Sequence, residues 1–158
     1  MASDSEGSTQ TDSDSLVQRR IEAKVIQGLG LESQAIKVDG VEFQFDGVSA
    51  SGDRLVEVYA GTGHLKSAQR MKISQDILKL VLFEKLMQAQ TPGVTFKKQI
   101  AVVDPAIHQE LSLQEHRSWK NMAFEAFGVE VILHELGSED RQALVEAKER
   151  QGYRFKKK

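Results

Sequence analysis

The dipeptide Asp39-Gly40 stands between two runs of alternating apolar residues, Ile36 and Val38 before it and Val41, Phe43 and Phe45 after it. A two-residue Asp-Gly connection favours the positive-φ turns whose twist matches a β-hairpin, so this stretch predicts two antiparallel strands. A third run, Leu55 to Tyr59, follows the looser turn Ser49-Ala50-Ser51-Gly52-Asp53 and extends the pair into a three-stranded meander. Such a sheet cannot hide both faces alone, so helices must cover it.

The flanking sequence supplies them. Val17, Ile21, Val25 and Leu29 recur every four residues, an apolar helical stripe that Asp14 or Ser15 can cap and that Gly28 and Gly30 stop. After the meander, Gly61-Thr62-Gly63 reads as a flexible strand-to-helix turn, without the spacing or lysine of a P-loop. A long helix is predicted over about Leu65 to Met87, with Ile73, Ile77, Leu80, Val81 and Leu82 as its buried side and Thr91-Pro92-Gly93 as its end. A strand over Lys98 to Val103 follows, then a helix over about Ser112 to Phe127 with Trp119 in the core. Next come a strand over Val129 to Leu133 and a last helix opened by Ser138-Glu139-Asp140. The late β-α-β portion favours parallel strands joined by right-handed crossovers. The expectation is an α/β domain over residues 15–152 with a mixed sheet between helices.

Composition narrows the function classes. A chain of 158 residues with 40% hydrophobic and 28% charged residues is sufficient for one core. The absence of cysteine removes disulfides, thiolate metal sites and cysteine nucleophiles. With no signal-peptide pattern and no apolar run of membrane-spanning length, a cytoplasmic protein is the expectation and a membrane partner is not. Asp4, Glu6, Asp12 and Asp14 gather in a polar segment with no base, so residues 1–14 are expected to be a disordered acidic tail. The rest of the chain is mildly basic despite the net charge of −2, and residues 153–158 form a basic tip. His64, His108, His116 and His134 are scattered without metal-ligand spacing, and no Ser-His-Asp arrangement stands out.

Two carboxylates are placed unusually. Asp46 ends the second strand, and Glu57 sits in the middle of the third between Val56 and Val58. Because side chains alternate along a strand, Glu57 points away from both valines, and adjacent strands can bring it onto one face with Asp46. Burying a carboxylate unpaired is costly. A hard cation held by both carboxylates removes that cost, and Mg²⁺ typically takes one or two carboxylates plus waters.

With these residues in place, the helix, three-stranded meander, helix, strand order resembles the core of the PD-(D/E)XK nuclease-like superfamily. An acidic residue at the end of one hairpin strand is followed there by Glu/Asp-X-Lys in the next. Asp46 matches the first position and Glu57 the second, while Tyr59 stands where the lysine belongs. The resemblance covers about residues 15–104. It implies a metal-dependent nuclease, with Asp46 and Glu57 holding Mg²⁺ or Mn²⁺ and Glu22 of the first helix completing the site. Family members are known in which the lysine has moved to a nearby helix. Lys66 and Lys72 are the candidates, Lys72 preferred because Leu65, Gln69, Lys72 and Asp76 share one helical face. Tyr59 would contribute a hydrogen bond.

Lys66, Gln69, Arg70 and Lys72 are the expected nucleic-acid contacts, with Lys79 a further basic residue nearby, and DNA the expected partner. Nucleases of this type commonly cut as dimers, which makes a homodimer an open expectation. The alternative is a catalytically inactive nucleic-acid-binding or protein-interaction module on the same fold. Bland readings stand beside each residue: turn chemistry for Asp46-Gly47, a structural ion pair of Glu57 with Arg54, Lys66 or Lys72, and solvated positions for Glu22 and Lys72.

Overall fold

The hairpin forms where the sequence places it. In the computed structural model, which describes residues 6–113 and 118–155 (side chains over 15–113 and 118–152), Asp39 and Gly40 take φ of 51° and 78°. They join β1 (Glu32–Val38) to β2 (Val41–Val48). Strand β3 (Arg54–Tyr59) completes the antiparallel meander; β4 (Lys97–Val102) pairs with it in parallel, and β5 (Val129–Leu133) pairs with β4 in parallel. All five belong to one mixed sheet in the order β1-β2-β3-β4-β5.

Helices cover both faces, as a sheet with buried parallel strands requires. On one face lie α2 (Ser67–Gln90), α3 (Pro105–Leu111) and α4 (Trp119–Ala126). Ile73, Leu80, Phe83, Ile107 and Phe124 from these helices pack on Phe43, Phe45, Leu55, Tyr59, Ile100 and Val102. On the other face lie α1 (Glu6–Gly28) and α5 (Ser138–Phe155), where Ile21, Val25 and Leu144 pack on Val56, Val58, Ala101 and Val103. Alternation along β3 thus sends Leu55, Glu57 and Tyr59 toward α2, and Val56 and Val58 toward α1. Phe83 anchors the first layer by meeting Phe43, Phe45 and Phe96 edge-on at ring distances of 5.4, 5.0 and 5.2 Å. This arrangement adds about 0.5–1.5 kcal/mol per pair to the burial of the rings. Lys24 and Arg20 of α1 reach Asp140 of α5 at 2.8 and 3.6 Å, tying the second layer together.

Several expectations are corrected. Helix α1 starts at Glu6, and residues 6–14 continue its backbone ahead of the apolar stripe. Once Ile21 and Val25 dock, each added residue costs only propagation and gains a backbone bond. Residues 153–155 continue the backbone of α5, while residues 1–5 and 156–158 lie outside the described residues. The helix expected over Ser112 to Phe127 is shorter, α4 at Trp119–Ala126, and a separate short helix, α3 at Pro105–Leu111, precedes it. Asp104 caps α3 by accepting from Ala106 N at 2.8 Å, with Pro105 in the first turn; α4 begins only after Ser118, and residues 114–117, His116 among them, lie outside the described residues. Trp119, expected in the core, is 67% exposed at the start of α4. On α2 the buried position is Phe83, while Leu82 turns outward at 45% exposure. No helix among the described residues is long and apolar enough to cross a membrane.

Strand β2 carries an irregularity that matters for the site. Glu32 pairs with Val48 and Gln34 with Phe45, so β2 spends one residue more than β1 there, and the bulge falls on Asp46-Gly47. Gly47 is needed because a Cβ on it would lie 2.6 Å from Ile26 Cδ1 and 3.1 Å from Leu31 Cβ. Gly47→Ala is expected to cost about 1–3 kcal/mol by overpacking, read as a lowered urea midpoint with unchanged m-value.

Candidate active site at the fork between β2 and β3

Only two residue pairs, Gly47 with Val56 and Val48 with Leu55, join β2 to β3. Beyond them the strands part, β2 following β1 and β3 following β4. Asp46 stands at the mouth of this fork, inside β2 at the bulge rather than at the strand's end as expected. Its Oδ2 accepts a hydrogen bond from Val58 N at 2.8 Å, which satisfies an amide that the parted ladder leaves without a backbone partner. Asp46 therefore has a structural use beyond turn chemistry.

Glu57 reaches the fork from the α2 side and is 2% exposed. Lys79 of α2 places Nζ 2.7 Å from Glu57 Oε1. The same ammonium donates to Gln44 O at 2.8 Å and lies 5.6 Å from the centre of the Phe45 ring. Glu57 Oε1 consequently gains charge compensation but no well-aligned hydrogen bond. Burial first, and the neighbouring Asp46 charge second, push the Glu57 pKa up to about 8 against the opposing pull of Lys79. The ion pair is with Lys79, not with Arg54, Lys66 or Lys72; Arg54 Nε donates to Gln99 Oε1 at 2.7 Å.

Further charges meet here from both helical layers. Glu22 of α1 lines an open groove of about 770 Å³ together with Arg19, Gln27, Ser33 and Asp46. Its pKa is raised, by burial and then by Asp46. From α2, Lys72 donates to Asp76 Oδ2 at 3.1 Å. Burial disfavours the Lys72 charge, yet Asp76, Asp46 and Glu22 outweigh it and raise the pKa. Asp76 is itself buried, and burial raises its pKa despite Lys72 beside it. Tyr59 lies on the α2 side of β3, its hydroxyl pushed up to about 12 by burial. It shares a second cleft with Gln69 and Lys72.

The fold thus brings Glu22, Asp46, Glu57 and Lys72 into one electrostatic cluster, with Tyr59 and Gln69 beside it. It does not bring Lys66 or Arg70. Lys66 is exposed before the first turn of α2, where its backbone N donates to Gln69 Oε1 at 2.6 Å. Arg70 turns toward α3 and pairs with Glu110 at 2.9 Å. Asp76, named only as sharing a helical face with Lys72, and Lys79, expected only as a basic residue near phosphate, are the members whose place at the site the sequence does not announce. A signal is nonetheless present: Lys72, Asp76 and Lys79 follow four- and three-residue spacing, and Asp76 interrupts the buried stripe Ile73, Ile77, Leu80.

Among the described residues no three histidine or acidic side chains converge as a ready-made metal cage. The fit to a divalent ion rests on Asp46 and Glu57 with solvent completing the shell, a composition typical of Mg²⁺. The buried Glu57 carboxylate beside the Asp46 charge is the observation that favours a cation there, with the Lys79 ammonium already against its Oε1. No protein-family model, curated protein or solved structure matches the chain.

Proposed function

We propose that the chain is a metal-dependent nuclease-like hydrolase acting on phosphodiester bonds of nucleic acid, DNA foremost, with its centre at the β2–β3 fork. The observation that carries this reading is Glu57: a carboxylate 2% exposed on a core strand, beside a second carboxylate whose charge helps to raise its pKa. A core strand gains nothing from that residue by packing. Asp46 and Glu57 would hold Mg²⁺ or Mn²⁺, with Glu22 reaching the shell directly or through water. A bound ion would lower the pKa of a coordinated water and stabilise charge on the phosphate.

The chain's own side chains supply the remainder. Val58 N fixes the Asp46 carboxylate, and Asp76 holds Lys72 with its charge toward Asp46 and Glu22. From there Lys72 is placed to orient a water and offset charge on the phosphate oxygens. Lys79, already against Glu57, is a second candidate for the cation that the strand lacks at Tyr59. A catalytically inactive nucleic-acid-binding module is the second reading, and the same contact favours it: Lys79 already compensates Glu57 in part, so a cation is not the only answer to its charge.

Calorimetric titration of Mg²⁺ and Mn²⁺ into wild type and the Asp46→Ala/Glu57→Ala variant separates these readings. Binding in wild type that disappears in the variant, accompanied by metal-dependent nicking of DNA, is the expected result. A folded wild type that binds neither ion, with or without DNA present, overturns the hydrolase reading.

A further inference from the structure

The second cleft beside Lys72 has a chemistry of its own. It encloses about 230 Å³ between α1, the β3–α2 loop, the start of α2 and α5. Three glutamines, Gln18, Gln69 and Gln151, and two lysines, Lys72 and Lys148, supply its polar lining, which contains no carboxylate. Small residues, Ala60, Gly61, Ala68 and Ala147, keep its walls low. Gly61 is required for this: a Cβ there would stand 2.5 Å from the Tyr59 hydroxyl.

The cleft is also braced. Lys148 Nζ donates to Thr62 O, Gly63 N donates to Asp104 Oδ2 at 2.8 Å, and Gln18 Nε2 reaches Ala60 O at 3.4 Å. An ammonium has three donors and Lys148 uses one on Thr62, which leaves others for a ligand. Glutamine amides carry both donors and acceptors and so suit the mixed edge of a nucleobase. Lys148 donates to a carbonyl in a lining that contains no carboxylate, which suits a phosphate, while Lys72 keeps its bond to Asp76 outside the lining. A cleft of this size matches one nucleotide better than a base pair, which favours an unpaired occupant.

We infer that this cleft holds one unpaired nucleotide of the substrate strand, its phosphate toward Lys72 and Lys148 and its base among Gln18, Gln69 and Gln151. The inference deepens the nuclease reading, since Lys72 belongs to both the fork and the cleft. Single-stranded or locally opened nucleic acid is then the preferred substrate class.

The test is fluorescence anisotropy of labelled oligothymidylate, and of its blunt duplex with oligoadenylate, in EDTA. Gln69→Glu is the informative variant. Glutamate serves as well as glutamine at the third position of a capping box, so α2 keeps its cap while the cleft gains a negative charge. Oligothymidylate is expected to bind wild type more tightly than the duplex does. Gln69→Glu should weaken it about tenfold while melting no lower than wild type. Lys148→Met should flatten the dependence of log affinity on log salt by about 0.7, the loss of one single-strand phosphate contact. Failure of wild type to bind the single strand, equal or tighter binding of the duplex, or unchanged affinity in both variants each overturns the inference. Because no metal is present, single-strand binding sensitive to Gln69→Glu stands even if no cleavage is ever found. A cleaving enzyme indifferent to both variants loses the cleft and keeps the fork.

Discussion

Glu57→Gln is expected to abolish divalent-ion binding and lower any phosphodiesterase activity by at least about 10²–10³-fold, while making the metal-free protein more stable at alkaline pH. The two effects have one cause. The folded-state pKa of Glu57, about 8, lies above its ordinary value of 4.5, so the folded protein holds a proton that the unfolded chain gives up. At pH below 4.5 both states are protonated and the group adds no pH dependence. As pH rises from 4.5 to 8 the unfolded state ionises first, and stability falls. Above 8 both states are charged and the full cost is present. At about 1.4 kcal/mol for each pH unit of difference, that cost is on the order of 4–5 kcal/mol. Glutamine carries no such charge.

Thermal melts in EDTA at pH 5.5 and 8.5 read this directly. Wild type should lose melting temperature between the two, beyond any loss seen in Glu57→Gln, and the variant should exceed wild type at the higher pH. A structural ion pair of Glu57 with Lys79 makes the opposite prediction, because removing one partner of a useful pair destabilises. A variant that melts below wild type at pH 8.5 therefore sinks the view that Glu57 is retained for binding at the expense of stability. Such a trade is what a functional carboxylate in a core strand entails.

The sequence made much of the sheet legible because its signals are local. Asp39-Gly40 demands a particular turn, the strand alternation around Phe43, Phe45 and Leu55 to Tyr59 has a period of two, and Val129–Leu133 is a short apolar run between breaks. The pairing of α1 and α5 was less visible, resting as it does on Lys24 and Asp140, more than a hundred residues apart in the chain. Candidate-site residues divide the same way. Asp46 and Glu57 stand out because each breaks a local pattern, a carboxylate among strand residues. Lys79 looked like any exposed lysine on α2; what distinguishes it is the path of its side chain over Gln44 O and the Phe45 ring. That path depends on the crossing of α2 over β2, which spacing along one helix does not report. Helix α3 is hard to read for a different reason: Asp104-Pro105 is a strong helix start, but a helix of seven residues is too short to display an apolar period.

The largest loss of stability is expected away from the fork, at Glu84 and Lys98. Lys98 of β4 is 5% exposed, and its Nζ donates to Glu84 Oε1 at 2.7 Å; Phe96 N donates to Glu84 Oε2 at 2.9 Å. Burial acts to raise the Glu84 pKa, but the bonds from Lys98 and Phe96 prevail and hold it below the ordinary value. Its contribution is accordingly present above the usual carboxylate range and lost as pH falls through it. Glu84→Ala strands the Lys98 ammonium inside the layer between α2 and the sheet. A loss of about 3–5 kcal/mol follows, measured as the shift in urea unfolding at constant m-value. Lys98→Met costs less, because Glu84 is less enclosed and keeps its bond from Phe96 N. The double variant Glu84→Leu/Lys98→Met removes both charges together and should recover most of the loss, since apolar replacement of a whole buried pair is commonly neutral or stabilising. Strong recovery in the double variant identifies desolvation as the source of the single-variant penalty. A Glu84→Ala loss below about 1 kcal/mol would instead mean that Lys98 carries its charge out to water along its own methylene chain.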